Sequence, residues 1–211
     1  MNKFLKIVVL ISISILISNC NKKQTNLEFE KEVMYQVFSE VLDSVYRDAN
    51  LIIPPPPIKY KEQLRKYNEE LSNYKNDTSK KVVIIEDNVR GFFMDNELRN
   101  TLKDFKISDD SLSFSKSYKF DISNVDSKKY EFKYRSVFPE NDNLLWEGKK
   151  HNDKLSGEIV VSRIIFDIFK EKGFFYCSYK CGMKVGMGHN VFIKKIKRNW
   201  VIDKIENTWI S

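Results

Sequence analysis

Few side chains in this protein are equipped for chemistry: among 211 residues there are three cysteines, Cys20, Cys177 and Cys181, and two histidines, His151 and His189. Cys177, Cys181 and His189 fall in one short span that also holds a glycine-rich stretch, Cys181-Gly-Met-Lys-Val-Gly-Met-Gly188. A thiolate activated by an imidazole would make a hydrolase nucleophile, but no nucleophile motif surrounds either cysteine, and scarcity alone nominates His189 as the base. A structural zinc site takes four ligands at recognisable spacing, and Cys-x3-Cys-x7-His is not one. The glycines lack the Gly-Lys-Ser/Thr and following helix of a phosphate cradle. Positive φ angles or a close strand crossing explain them more simply. In an extended strand rising ~3.3 Å per residue, Cys177 and Cys181 stand about 13 Å apart. A disulfide spans roughly 4.4–6.8 Å between Cα atoms, so the two pair only if the chain turns between them, and buried or unpaired thiols are the favoured reading. Catalytic, cofactor and metal residues are therefore expected to be none. Tyr176, Tyr179, Phe192, Trp200 and Trp209 are candidates for a ligand groove, although aromatics at alternating strand positions more often form core and cross-strand pairs.

These residues sit on a predicted run of antiparallel strands. Ile164–Phe166 opens it, Glu171-Lys-Gly173 turns the chain, Phe174–Tyr179 returns, and Asn190–Ile196 and Trp200–Ile205 follow around Lys197-Arg-Asn199, in meander order. Upstream, Tyr118, Phe120 and Ile122 alternate with polar residues, as do Tyr130, Phe132 and Tyr134. Asn141-Asp-Asn143 reads as a turn and His151–Gly157 as a loop. Earlier still the period is helical. A Thr25-x-x-Glu28 capping box opens a helix with Val33, Val37, Phe38, Val41, Leu42 and Val45 on one face, ending near Asn50. Pro54–Pro57 make a stiff extended spacer. Tyr60, Leu64, Tyr67, Leu71 and Tyr74 form a second stripe, too short for a free coiled coil and expected to pack on its own domain. Val82–Glu86 reads as a strand, and Asp95 with Glu97 as the start of a short helix carrying Leu98, Leu102 and Phe105.

The third cysteine belongs to a different setting. Met1–Lys6 carries two lysines, Ile7–Ile17 is apolar apart from its serines, and small or polar residues precede Cys20, which is the order of a secretory signal. A bilayer-spanning helix needs roughly 20 apolar residues, more than this run supplies. Leu16-Ile17-Ser18-Asn19-Cys20 resembles the lipobox of bacterial lipoproteins, with Ile17 and Asn19 where leucine and a small residue are usual. That resemblance implies cleavage before Cys20, transfer of a diacylglyceryl group to its thiol, and retention on a membrane by two or more acyl chains. The implied division is a signal peptide over 1–19, a lipidated Cys20 and tether over 20–26, and a single α+β domain over 27–211. By resemblance to enterobacterial lipoprotein sorting, Asn21 in place of an aspartate implies the outer membrane, and no acidic cluster resembling a surface-export signal follows, so the periplasmic side is expected; cell-surface display and plain secretion are the other readings.

Composition limits the partners. Lys and Arg number 36 against 29 Asp and Glu, a formal charge of +7, but the signs are interspersed, as on a solvated surface. Only Lys194, Lys195, Lys197 and Arg198 are clustered, at a hairpin tip, so no nucleic-acid partner is expected. Ser162-Arg163, Ser178-Tyr179, Cys181-Gly182 with Gly186 and Gly188, Trp200-Val-Ile-Asp203 and Thr208-Trp-Ile-Ser211 resemble the C-terminal signature of a group of uncharacterised Bacteroidota lipoproteins. Many of that group have a second cysteine where Val185 stands here. The resemblance implies location and fold, not an activity. The sequence thus predicts an α+β fold, an antiparallel sheet mainly in the C-terminal half with N-terminal helices against it. The expected role is a non-catalytic binding or structural module of the envelope, anchored to the membrane and open to a protein partner. The alternatives are an envelope hydrolase using a Cys/His pair and an inhibitor or immunity-type protein.

Overall fold

The computed structural model describes residues 25–47, 56–91, 96–103, 105–107, 115–148 and 155–211. Cys20, the leader before it, Pro54, Asp95 and His151 lie outside the described residues. The chain divides into two compact units, Met1–Glu32 and Val33–Ser211. In the first, the described residues form the capping box: Thr25 N–H donates to Glu28 Oε2 at 2.8 Å, and Glu28 N–H donates to Thr25 Oγ1 at 3.2 Å. Two helix-end donors are satisfied reciprocally, and the Thr25 backbone N–H holds the Glu28 carboxyl below its usual range.

The helix so begun, α1 (Asn26–Val45), continues into the second unit. From Val33 onward its three- and four-residue apolar steps place Val33, Val37, Phe38, Val41, Leu42 and Val45 in the core. Each such side chain contributes about 1.5–3 kcal/mol on burial. Helix α2 (Lys61–Asn76) keeps Leu64, Tyr67 and Leu71 half-buried, with Arg65 bridging Glu62 and Glu69 on its solvent side. Then come β1 (Lys81–Ile85), β2 (Asn88–Val89), α3 (Asn96–Thr101), β3 (Tyr118–Lys119), β4 (Tyr130–Tyr134) and α4 (Asp142–Gly148). The chain finishes with β5 (Leu155–Val161), β6 (Ile165–Phe166), β7 (Lys172–Gly182), β8 (Val185–Ile196) and β9 (Asn199–Ile210).

The main sheet has the order β4-β1-β5-β7-β8-β9, with β6 also on β7, while β2 and β3 form a separate ribbon. The expectation of an antiparallel sheet holds from β5 to β9 and fails beyond it, because β1 pairs in parallel with both β4 and β5. The fold is α+β with a mixed sheet. Strand β1 is Lys-Val-Val-Ile-Ile, apolar at consecutive positions, and such runs suit a strand buried on both faces. One face, with Val83 and Phe132, packs on α1: Phe38 lies 4.8 Å from Phe120 and 5.8 Å from Phe132 between ring centroids. On the other, Val82 and Ile84 meet Leu145 and Trp146 of α4. Further along that outer face Leu98, Leu102 and Phe105 cover Ile165, Phe174 and Phe192.

Other local expectations are corrected by side chains that bond their own backbone. Ile122 lies in a 3-10 turn, because the Asp121 carboxylate accepts the Ser123 N–H at 3.0 Å and ends the alternation of Tyr118 and Phe120. Asn141-Asp-Asn143 is a helix start, with the Asn141 side chain accepting the Asn143 N–H at 2.8 Å. Residues Leu155–Gly157, read as loop, begin the buried strand β5.

Candidate functional site

Registers of β7, β8 and β9 bring the predicted chemistry into a single row. Cys177 stands opposite His189, and His189 opposite Asn207, on the sheet face that carries α1. Directly opposed residues hold their Cβ atoms about 4.5–5.5 Å apart, close enough for a nucleophile, a base and an orienting amide. The bonds and access that such a site needs are missing. Cys177 is fully buried, and burial pushes its thiol up to about 12, so the reactive thiolate is not populated at neutral pH. His189 is buried, and neither ring nitrogen is hydrogen-bonded to the Cys177 sulfur. Burial lowers the imidazole pKa; nearby Asn207 opposes that shift and the charge of Arg47 adds to it. Cys181 is four residues along β7, also buried. Neither cysteine forms a disulfide: β7 carries both positions as extended chain, with a register shift between Lys180 and Gly182. Among the described residues no group of three or more His, Cys, Asp or Glu side chains is arranged to hold a metal ion.

The glycine-rich stretch is mostly strand. β7 ends at Gly182, Met183 and Lys184 turn, and β8 begins at Val185. Of the two explanations offered for its glycines, positive φ fails, since no described glycine adopts one, and close approach holds. A Cβ on Gly188 would stand 2.2 Å from Trp209 Nε1 and 2.3 Å from the Tyr176 hydroxyl; one on Gly186 would be 3.3 Å from the same indole. Trp209 therefore lies flat across the two glycines. Its Nε1–H donates to the Tyr176 hydroxyl at 2.5 Å, and Ser211 and Gly186 exchange backbone bonds of 2.9 and 3.2 Å beside it. Trp209 remains 39% exposed. Of the candidate groove aromatics, Tyr179, Phe192 and Trp200 are core, Tyr176 is half-buried, and Trp209 is a fixed platform on the outer face.

One buried charge escaped the sequence reading. Glu158 lies on the outer face of β5, paired across β1 with Ile84. Its Oε1 is 3.4 Å from Arg135 Nε, and Arg135 also reaches Asp142 at 3.1 Å. Burial raises the Glu158 carboxyl pKa, and the charges of Lys180 and Arg135 restrain the rise. The network ties β5 to the start of α4. A lone carboxylate inside an otherwise apolar strand was the available signal, hidden by the neighbouring Ser156 and Gly157.

Compared with known proteins, the chain matches no protein-family model, no curated protein and no solved structure. Among the described residues no helix is long and apolar enough to cross a membrane.

Proposed function

We propose that this chain is a lipid-anchored protein of the bacterial envelope, held through Cys20 at the periplasmic side of the outer membrane, where it acts as a non-catalytic binding or structural module. One observation carries the reading: a cysteine directly after the apolar run, in the lipobox-like setting Leu16–Cys20, a few polar residues before helix α1, which begins at Asn26. The short polar segment between them fits a tether. The resemblance of the C-terminal strands to Bacteroidota lipoproteins agrees with the same address. Burial of Cys177, Cys181 and His189 supports a non-catalytic role, since the groups a hydrolase would use are shut away from substrate. Trp209, Tyr176, Asn190 and Lys180, open or half-open on the outer face of β7–β9, offer a protein partner a preformed surface. The test is metabolic labelling with a fatty-acid analogue followed by membrane fractionation. The native chain takes the label and sediments with outer membranes, and Cys20→Ala is spared; equal labelling of both would refute the anchor.

A further inference from the structure

The loop from β6 to β7 and the hairpin from β8 to β9 project together at one end of the sheet. Lys172 and Lys194 are opposed across β7 and β8, and Lys195 N–H donates to the Glu171 carbonyl at 2.8 Å. The tips carry three large apolar side chains that the fold leaves outside: Ile168 is 53% exposed, Phe169 62% and Ile196 49%. Nothing in the core requires them there. Around them stand exposed cations, Lys172 on one tip and Lys195, Lys197 and Arg198 on the other. Lys106 joins them, its ammonium 5.8 Å from the centre of the Phe169 ring. Like charges directly opposite each other destabilise a strand pair, so Lys172 facing Lys194 costs stability in the free protein. Among the described residues the acids at this end are occupied or few. Asp203 holds Lys194 at 2.7 Å, and Asp167 is buried, accepting the backbone N–H groups of Glu171 and Lys172. Glu171 is the exposed one.

Exposed apolar tips inside a ring of cations match the interface of an anionic bilayer, where apolar groups enter the acyl boundary and lysines and arginines meet phosphates. The course of α1 gives this end a further meaning. Within the second unit, Gln36 accepts the Trp200 backbone N–H at 3.0 Å beside the β8–β9 tip, and Tyr46, just past the helix, packs 5.8 Å from Tyr179 towards the opposite end. Within this unit, therefore, α1 begins at the end of the sheet that carries the basic tips.

We infer that this end of the sheet is a membrane-docking surface: Ile168, Phe169 and Ile196 insert at an anionic lipid interface, and Lys172, Lys195, Lys197 and Arg198 engage its phosphates. The inference rests on the lipid-anchored reading and adds to it an orientation, with the tips on the bilayer and the Trp209 platform free for a partner.

The experiment uses the chain as cells process it, carrying Phe169→Cys labelled with an environment-sensitive fluorophore, on phosphatidylcholine vesicles with and without phosphatidylglycerol. The expected result is a blue-shifted emission, quenched by lipid-borne quenchers, only where phosphatidylglycerol is present, and reversed by high salt. Each basic residue near an anionic surface raises partitioning about fivefold, so losing three of them weakens docking about a hundredfold, and Lys172→Glu, Lys197→Glu and Arg198→Glu together, which also add repelled charges, weaken it at least that much. Lys66→Glu on α2 leaves docking unchanged, and the same fluorophore at Leu144→Cys on α4 stays water-like. A water-like signal at position 169 while the chain sediments with anionic vesicles would overturn the docking surface and leave the anchor standing. Loss of fatty-acid labelling with the blue shift intact would do the reverse. A shift unaffected by the triple charge reversal would also overturn it.

Discussion

Replacing Gly188 with alanine tests how the glycine-rich stretch works. The new methyl carbon would stand 2.2 Å from Trp209 Nε1 and 2.3 Å from the Tyr176 hydroxyl, well inside van der Waals contact, and both belong to rigid aromatic groups already bonded to each other. The backbone of Gly188 is paired on both sides, with Ser178 and with Trp209, so the ring must leave. A tryptophan that is 39% exposed keeps about 150 Å² of its surface covered, taking ~250 Å² as its full burial. At about 25 cal/mol per Å² its complete eviction costs up to ~4 kcal/mol, and partial relaxation brings the expected loss to about 2–3 kcal/mol. Urea unfolding followed by circular dichroism measures it. The decisive arm is a double-mutant cycle. In a Trp209→Ala, Tyr176→Phe background both obstructing groups are gone, and Gly188→Ala should cost less than about 1 kcal/mol. Equal costs in the two backgrounds would refute the steric account, and a cost below about 0.5 kcal/mol in the native sequence would mean that Trp209 is not seated on the glycines.

Three other outcomes follow from the same structure. His189 has a pKa lowered from 6.5 by burial, so the unfolded chain binds more protons below that value. Stability is full above about pH 6.5 and falls as acid takes the pH through the lowered folded-state value; His189→Leu should flatten this slope in urea titrations at about pH 5 and about pH 8. Cys177 and Cys181 should resist a thiol reagent in the native state and react together once the chain is unfolded, as measured by release of a chromogenic thiol. Lys197 adopts φ 58° at the β8–β9 turn, a left-handed conformation that glycine enters without a Cβ penalty, so Lys197→Gly should raise unfolding free energy by about 0.5–1 kcal/mol; a loss would contradict the strain.

Patterns that repeat along a single segment were legible, and pairings between distant segments were not. The apolar steps of α1 and the cap at Thr25 are local, and so is the alternation that builds β7, β8 and β9. The place of β1 is different. Its run of Val82–Ile85 announces two-sided burial, but nothing in those residues names β4 and β5 as partners or sets them parallel. Strand β5 was hidden by the residues that make it fit. Gly157 is required because a Cβ there would meet the Tyr179 hydroxyl at 2.2 Å, and Glu158 is tolerated because Arg135 reaches it; Ser-Gly-Glu in sequence reads as a turn. Asn141 shows the same ambiguity, since an Asx side chain that bonds forward to the backbone serves a turn and a helix start equally. At the candidate site, Cys177 and His189 could be nominated by residue type, and only the register made them neighbours. The basic run was legible from Lys194 to Arg198, whereas its union with Lys172 and Phe169 depended on two hairpins projecting side by side.

Register also bears on how two buried cysteines outside any disulfide would fit with the proposed export. A protein delivered to an oxidising compartment with two nearby cysteines ordinarily forms a disulfide or carries reactive thiols. Here both cysteines lie on one strand, four residues apart, at a spacing of about 13 Å that no disulfide can bridge without breaking the ladder. Between them Tyr179, also buried, lies against Gly157 and packs on Tyr46, so moving one thiol towards the other would dismantle the centre of the α1 face. Cys177 keeps a further barrier, a thiol pushed up to about 12 by burial alone, which suppresses the thiolate that oxidation and exchange require. The same burial that shields these residues from solvent would make them durable at the proposed address, which itself depends on the chemistry of Cys20.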